Sequence, residues 1–154
     1  LYAAKELIYK KNITIITASV SASSMLSQNK DIDVVQLGGI VRESSVSVVG
    51  SFAEDMLKYF NCSLLFMGAD GVDLDFGITT TNMMEANLNR MMMSTSQQTV
   101  LLVDSSKFGK KGFSKICDIC EIDRIITDEN IPKMYLENLQ ELGIEVTVVP
   151  IAKS

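Results

Sequence analysis

The chain of 154 residues is about one domain long, and its 47% hydrophobic and 21% charged residues suit a globular fold with its own core. The formal net charge is −5 and histidine is absent, which argues against a nucleic-acid surface within this chain and excludes a Ser-His-Asp triad. The apolar runs are too short to span a bilayer, and three cysteines without a secretory signal indicate a reduced, cytoplasmic protein.

Apolar segments alternate with amphipathic ones in the first part of the chain. Residues 1–12 are helix-like without an N-cap, so we expect an N-terminal part before Leu1. Strands are predicted at "ITIIT" and "DVVQLGG", with a short helix between them capped by Ser19 or Ser21. The stretch "IVRESSVSVVG" reads as a polar loop. A helix follows, with Ser51 as its N-cap and Glu54 at the capping-box position.

The second part of the chain repeats this alternation. Strands are predicted at "CSLLFMGA", "QTVLLVD", "RIITD" and "IEVTVV". A helix capped by Asn82 follows the first of these strands, and another precedes the last, with Pro132 in its first turn and Gly143 as C-cap. The pattern predicts an α/β fold, Rossmann-like, with a mostly parallel sheet flanked by helices.

Small, hydroxylic or charged residues directly follow five of the predicted strands. They lie at 17–19, 38–39, 68–73, 104–107 and 127–128. Because ligands of parallel sheets bind outside the carboxyl ends of the strands, the set predicts a site for a small polar ligand. For any single loop, ordinary turn chemistry is an equal explanation, since loops are polar and Asp-Gly favours turns.

Three carboxylates are candidates for this site. Asp70 and Asp73 could hold sugar hydroxyls, bind a metal or divide acid and base roles, or they could form a turn and face solvent. Glu85 lies near a helix N-terminus, where the helix dipole favours a carboxylate whether or not it has a function.

The basic candidates are Lys107 and Arg42. Lys107 follows Asp-Ser-Ser at a strand end and could bind an anion, although Lys110 and Lys111 make a solvated basic loop an alternative. Arg42, with the serines that follow it, could grip a phosphate or belong to a surface loop. The pair Cys117 and Cys120 is a weak zinc signal without a second pair or any histidine, so we expect no metal and no cofactor.

Several short motifs occur in an order that resembles the C-terminal effector-sensing domain of DeoR-family bacterial transcriptional repressors. They are "ITIITAS", "VVQLGGIVRESSVSVVG", "LLFMGADGVDLDFGITTTNMMEAN", "VLLVDSSKFG" and "DRIITDENI". The resemblance extends from about residue 13 to residue 149, and it is specific in sum although each motif is short.

The resemblance implies a fold similar to that of ribose-5-phosphate isomerase and a pocket that senses a phosphorylated sugar. Asp70 and Asp73 would then hold sugar hydroxyls, and Lys107 would contact the sugar or its phosphate. Glu85 would match the base of the isomerase. The full set of expected effector-binding residues is Thr17, Ser19, Gly38, Gly39, Arg42, Gly68, Asp70, Gly71, Asp73, Glu85 and Lys107.

Two departures from the family pattern affect this expectation. Ala18 stands where the family usually has asparagine. The family's first strand with its phosphate loop, and the winged helix-turn-helix, would precede Leu1. We therefore expect residues 1–154 to be a single sensor domain, incomplete at its N-terminus, that reaches operator DNA only through the missing DNA-binding domain.

The sequence thus predicts a homo-oligomeric sensor, not an enzyme, that binds a phosphorylated sugar and has no membrane partner. One alternative is a sugar-phosphate isomerase or deaminase on the same fold. That alternative expects a second lysine and a glycine-rich run after the GADxxD turn, and "LDFGITTTN" has neither. A third hypothesis is a domain that serves only for oligomerisation and whose polar residues at the strand ends only form turns.

Overall fold

The computed structural model describes residues 2–151 of the chain. The chain divides into two compact units, Leu1–Tyr59 and Phe60–Ser154. No helix in the described part of the chain is long and apolar enough to cross a membrane. The expectation of a single sensor domain over residues 1–154 stays a prediction.

The first unit contains three helices and four strands. In chain order they are α1 (Tyr2–Leu7), β1 (Ile13–Thr17), α2 (Val20–Leu26), β2 (Ile32–Gln36), β3 (Ile40–Arg42), β4 (Ser47–Val49) and α3 (Ser51–Leu57). Strands β1 and β2 pair in parallel, with Ile13 opposite Ile32 and Thr17 opposite Gln36. Helix α2 covers this pair through Ala22 and Leu26, which are both buried.

Two helix starts in the first unit test the predicted caps. Ser19 is the N-cap of α2, and its hydroxyl accepts a hydrogen bond from the Ala22 backbone N–H at 3.2 Å, as predicted. The prediction of Ser51 as the cap of α3 is wrong, because Ser51 is already helical and Gly50 occupies the cap position. Gly50 has a φ of 105°, which glycine adopts easily and other residues rarely do. Helix α3 therefore begins after a glycine and not after a side chain that caps it.

The stretch predicted as a polar loop forms an antiparallel hairpin. Strands β3 and β4 pair with Ile40 opposite Val49 and Arg42 opposite Ser47. Val48 and Val49 are buried, whereas Val41 is exposed. The polar centre of this stretch, from Arg42 to Ser47, concealed the strands, because strands are predicted from runs of β-branched and aromatic residues.

The second unit contains seven strands, two α-helices and two 3-10 helices. They are β5 (Leu65–Met67), β6 (Gly71–Asp73), β7 (Gly77–Thr80), α4 (Met83–Ser94), β8 (Thr99–Leu102), a 3-10 helix (Ser105–Lys107), β9 (Ser114–Cys117), a second 3-10 helix (Ile119–Glu121), β10 (Arg124–Asp128), α5 (Lys133–Glu141) and β11 (Glu145–Val149).

The main sheet of the second unit has four parallel strands in the order β11-β10-β8-β5. Leu101 and Ile125 on its central strands are fully buried and pack in one core with Leu139 of α5. The predicted parallel sheet is therefore present in this unit. Each of these strands ends at the same edge of the sheet.

The remaining strands of this unit are antiparallel, so the β structure is less uniformly parallel than predicted. Strands β6, β7 and β9 form a three-stranded sheet in which β7 is central. The reason is local: the Asp73 carboxylate accepts hydrogen bonds from the backbone N–H groups of Asp75 and Phe76, and Gly77 adopts a φ of 101°. These features close a tight turn that returns the chain beside β6.

Candidate functional site

The carboxyl edge of the parallel sheet in the second unit carries most of the predicted polar residues of that unit. Gly68, Ala69 and Asp70 follow β5, and the segment from Asp104 to Lys107 follows the neighbouring strand β8. This is the edge at which parallel sheets bind ligands.

Asp70 is held in place by Thr80, the last residue of β7, and by Thr81, which follows it. Its Oδ2 atom accepts hydrogen bonds from the Thr80 hydroxyl at 2.9 Å, the Thr81 backbone N–H at 3.0 Å and the Thr81 hydroxyl at 3.3 Å. Thr80 is only 2% exposed, so its side chain forms a rigid support. No hydrogen bond within residues 2–151 reaches Oδ1, which leaves this oxygen for a ligand.

Asp70 and Glu85 line the same cleft of about 300 Å³, between the end of β5 and helix α4. Asn82 is the N-cap of α4 as predicted, and its side chain accepts the Glu85 backbone N–H at 3.0 Å. The lining consists of Phe66, Met67, Gly68, Ala69, Asp70, Thr80, Glu85, Asn89 and Met92. Three predicted residues, Gly68, Asp70 and Glu85, therefore share one cleft of a size that suits a small ligand.

Sequence reasoning missed the contributions of Thr80 and Asn89 to this cleft. Asn89 lies one helical turn after Glu85, and this spacing puts both side chains on the same face of α4. The spacing of four positions from Glu85 was the signal in the sequence that could have made Asn89 a candidate.

Lys107 ends the short 3-10 helix after β8. Backbone hydrogen bonds shape this turn: Asp104 accepts from the Ser106 N–H at 2.9 Å, and Asp128 of β10 accepts from the Ser105 N–H at 2.6 Å. The hydrogen bonds from Ser106 hold the pKa of Asp104 below its usual range, and those from Ser105 do the same for Asp128. Both carboxylates therefore stay charged and fix the turn.

The Lys107 side chain is partly buried, and no carboxylate of the described chain lies within salt-bridge distance of its ammonium. Lys110 and Lys111 are exposed, and Lys111 pairs with Asp73 at 3.5 Å. Lys107 and Lys110 therefore both lack a carboxylate partner within the described residues, and of the two Lys107 is the less exposed and the closer to the strand end.

Asp73 and Gly71 have structural partners away from the cleft lining. The Asp73 carboxylate caps the β6–β7 turn, and the hydrogen bond from the Phe76 N–H, aided by Lys111, lowers its pKa. A Cβ on Gly71 would lie 2.3 Å from the carbonyl oxygen of Lys110, so this position has no room for a side chain.

The predicted residues of the first unit lie at the carboxyl ends of β1 and β2 and on the β3–β4 hairpin. The Thr17 hydroxyl accepts the Ser19 backbone N–H at 3.1 Å. Gly38 and Gly39 pack against helix α3 and strand β4: the Gly38 N–H contacts the Met56 sulfur at 3.2 Å, and a Cβ on Gly39 would meet the Val49 carbonyl oxygen at 2.6 Å.

Arg42 ends β3, and its side chain is partly buried. The contacts of Thr17, Ser19, Gly38 and Gly39 given above are all within the first unit, and they give these four residues local structural roles. Effector binding by the five predicted residues of this unit stays a prediction.

A larger cleft of about 790 Å³ lies at the opposite, amino end of the parallel strands. Its polar groups are largely engaged: Lys115 pairs with Asp118, and the Asp123 carboxylate accepts the Thr99 N–H at 2.7 Å. The smaller cleft is the better candidate, because it lies at the ligand-binding edge and contains an anchored carboxylate.

Cys117 lines that larger cleft and is buried, whereas Cys120 is exposed. Burial raises the pKa of the Cys117 thiol to about 12, so it stays protonated and is a poor metal ligand. Within residues 2–151, no group of three or more histidine, cysteine, aspartate or glutamate side chains could hold a metal ion.

Comparison with known proteins adds independent information. A family model described as the DeoR C terminal sensor domain matches residues 1–129. YulB, an uncharacterized HTH-type transcriptional regulator of Bacillus subtilis, is 35% identical over 92% of this chain and 55% of its own length. A putative aga operon transcriptional repressor of Escherichia coli O157:H7 is 36% identical over 90% of this chain and 51% of its own length.

The regulator GlpR of Haloferax volcanii is 31% identical over 88% of this chain and 54% of its own length. The chain therefore spans about half the length of the curated relatives it matches. All three are named as transcriptional regulators or repressors.

Proposed function

The chain belongs to the DeoR C-terminal sensor domain family, and we propose that it is the effector-sensing part of a transcriptional repressor of sugar metabolism. The effector in this proposal is a phosphorylated sugar. Operator DNA is bound by a separate DNA-binding domain, and effector occupancy shifts the population of one arrangement of the oligomer.

The observation that carries the proposal is the cleft with the anchored Asp70. A carboxylate with one oxygen tied to Thr80 and Thr81 presents its other oxygen in a fixed direction, which suits a sugar hydroxyl. Glu85 supplies a second carboxylate in the same cleft. Lys107, on the neighbouring strand end, adds a positive charge suited to a phosphate.

The names of the relatives support regulation rather than turnover, since they are transcriptional regulators. The missing glycine-rich run and second lysine after the GADxxD turn support the same reading. Glu85 then acts as a hydroxyl ligand and not as a base.

A thermal-shift screen tests this proposal. The probes are ribose phosphate, fructose phosphate, glucosamine phosphate and inorganic phosphate, added to the longest natural form of the protein that carries these 154 residues. A sugar phosphate at about 100 times its Kd should add about 2.7 kcal/mol to the free energy of unfolding. The variant Asp70→Asn should lose most of this gain, whereas Asp75→Asn in the exposed turn should keep it.

Two results would contradict the proposal. One is the absence of stabilisation by any sugar phosphate beyond that by inorganic phosphate. The other is isomerase turnover of a sugar phosphate that Glu85→Gln abolishes, which would favour the enzyme alternative.

A further inference from the structure

Strand β11 forms one edge of the parallel sheet in the second unit. It pairs with β10 on one side, and no hydrogen bond within residues 2–151 reaches the backbone groups on its other side. A strand edge with unpaired N–H and C=O groups is a template for pairing with a further strand. The direction of these groups and the side chains around them decide which strand fits.

One hydrogen bond fixes the direction of the backbone groups in β11. The Glu145 N–H donates to the Asp123 carbonyl at 3.3 Å, so the backbone groups of Glu145 point toward β10. Because successive residues of a strand point to opposite sides, the other odd-numbered residues of β11 also point toward β10. Val146 and Val148 point away from it. Their two N–H and two C=O groups form the unpaired edge.

The row of outward donors ends on both sides of these two valines. Ile144, the preceding outward residue, donates its N–H to the Leu139 carbonyl at 3.0 Å. Pro150, the following outward residue, has no N–H. Only a strand that presents its own groups opposite Val146 and Val148 can therefore satisfy the edge.

The side chains along this edge are apolar and exposed. Residues 146–151 carry no charge, although the chain has a net charge of −5. Val148 and Val149 are each 42% exposed, and Ile151 is 49% exposed. Exposed β-branched residues without a charge among them are typical of a strand edge that pairs, since charges are a common protection against pairing.

A second copy of β11 fits this edge in one register. Two strands related by a two-fold axis run antiparallel, and an axis at Thr147 places Val146 of one copy opposite Val148 of the other. Opposite residues of this kind exchange both of their N–H···O hydrogen bonds. Both N–H and both C=O groups of each copy would then be paired.

Charge favours the same register. Glu145 is the only charged residue of β11, and it forms an ion pair with Arg124 of β10. With the axis at Thr147, the Glu145 residues of the two copies lie four strand positions apart, about 14 Å. This distance exceeds the Debye length of about 8 Å at physiological salt, so their repulsion is screened.

Neighbouring registers are worse. An axis at Val146 would bring the two Glu145 residues to about 7 Å along the strand and would set Val148 against Ile144, whose N–H is already used. An axis at Val148 would set Val146 against Pro150, which has no N–H to donate.

We propose that β11 is a self-association surface, at which two copies of this chain join their four-stranded sheets antiparallel about a two-fold axis at Thr147. The contact uses the same edge on both copies, so it closes as a dimer and does not extend into a filament. This inference goes beyond the proposed function, because it requires no effector.

Cross-linking tests the register. The longest natural form of the protein that carries these 154 residues is prepared with Cys120→Ser, which removes the exposed cysteine. Thr147→Cys on this background should form disulfide-linked dimers with copper phenanthroline in air, because side chains at the axis have Cβ atoms about 4.5–5.5 Å apart. Val149→Cys lies on the same face of β11, but its two copies are about 14 Å apart, so its yield should be about 10-fold lower.

A charge substitution tests the association itself. Val148→Lys places a lysine on the edge, and light scattering should show a dimer dissociation constant about 10-fold higher than that of the wild type. Val41→Lys is the matched control, since Val41 is an exposed valine on the short strand β3, and it should leave this constant unchanged. If Val148→Lys fails to fold, the two cysteine variants still test the inference, because they change little in size.

Several results would overturn the inference. They are a monomeric wild type, equal cross-linking of Thr147→Cys and Val149→Cys, and no cross-linking of Thr147→Cys. An unchanged dissociation constant in folded Val148→Lys would do the same. Open-ended assemblies that grow with concentration would show pairing of β11 with a different surface of the next copy, which also contradicts the two-fold contact.

Discussion

Asp70 and Asp73 are three positions apart, yet their carboxylates have different surroundings. The Asp70 carboxylate is held by Thr80 and Thr81 at the wall of a cleft. The Asp73 carboxylate closes a turn, and the hydrogen bond that it accepts from the Phe76 N–H lowers its pKa. The pKa of Asp73 is lower in the folded state than in the unfolded state. The Asp73 carboxylate therefore stabilises the fold fully at a pH above its unfolded-state pKa, and this stabilisation is lost as the pH falls through its folded-state pKa.

Lys107 should matter more to effector affinity than Lys110. Its side chain is partly buried at the end of β8, whereas Lys110 is exposed beyond it. Losing a hydrogen bond from a charged donor to a bound phosphate costs about 1.5–3 kcal/mol, which is about one to two powers of ten in Kd. Calorimetric titration of Lys107→Ala with the stabilising sugar phosphate should show this loss.

Lys110→Ala is the matched control for that titration, because Lys110 acts only through a long-range field that salt screens. Lys111→Ala is a less clean comparison, since it also removes the partner of Asp73. Equal weakening by Lys107→Ala and Lys110→Ala would show a diffuse basic loop instead of a defined contact.

At the scale of elements, the two glycines of the GADG turn have different roles. Gly68 directly follows β5 and has space around it, since among the described residues a Cβ there would approach only the Leu102 carbonyl oxygen, at 3.9 Å. Gly71 begins β6 under close packing: a Cβ would lie 2.3 Å from the Lys110 carbonyl oxygen and 2.6 Å from the Thr79 hydroxyl oxygen. The Lys110 carbonyl belongs to the backbone and cannot move aside cheaply.

Gly71→Ala should therefore destabilise the protein by about 1–3 kcal/mol, as overpacking of a buried position does. Gly68→Ala should change the free energy of unfolding by less than about 0.5 kcal/mol. Urea denaturation of both variants measures the difference. Equal stability of the two would mean that the β6–β7–β9 sheet adapts to a side chain at Gly71, contrary to the packing described.

The parallel strands and two of the caps could be predicted because their signals are local. A run of β-branched residues such as Ile13–Thr17 is typical of a buried strand, and Ser19 and Asn82 cap the helices that directly follow them. The antiparallel sheet could not be predicted in this way. Its third strand, β9, joins through contacts between residues that are distant in sequence: the Thr79 hydroxyl oxygen accepts the Gly112 N–H at 2.7 Å.

The same limit applied to the candidate site. Residues next to strand ends, such as Asp70 and Lys107, could be proposed from the order of the elements. Asn89 could not, because a position in the middle of a helix becomes a candidate only when the face against the cleft is known. The role of Asp73 in closing a turn could not be predicted either, because the hydrogen bonds of that turn are not visible in the sequence.

At the scale of the whole molecule, the chain combines a net charge of −5 with several large apolar side chains in contact with solvent. Phe113 is 84% exposed, and Met83 at the start of α4 is 62% exposed. Single exposed apolar residues are ordinary, but methionine and aromatic side chains are also the types enriched where proteins meet. Dimeric helix-turn-helix regulators bind operators whose two-fold symmetry mirrors their own, which favours self-association of a sensor in this family.

We therefore expect the chain to self-associate. Light scattering at micromolar concentration should give a mass of two or more chains, and the melting temperature should rise with protein concentration, because association stabilises the folded state by mass action. The two readouts are independent, since aggregation of unfolded chains would raise the mass without raising the melting temperature. Phe113→Ser and Met83→Ser can then be compared with Lys110→Ser, an exposed polar position, to ask which apolar side chain contributes. A strictly monomeric mass together with a concentration-independent melting temperature would contradict self-association of these 154 residues.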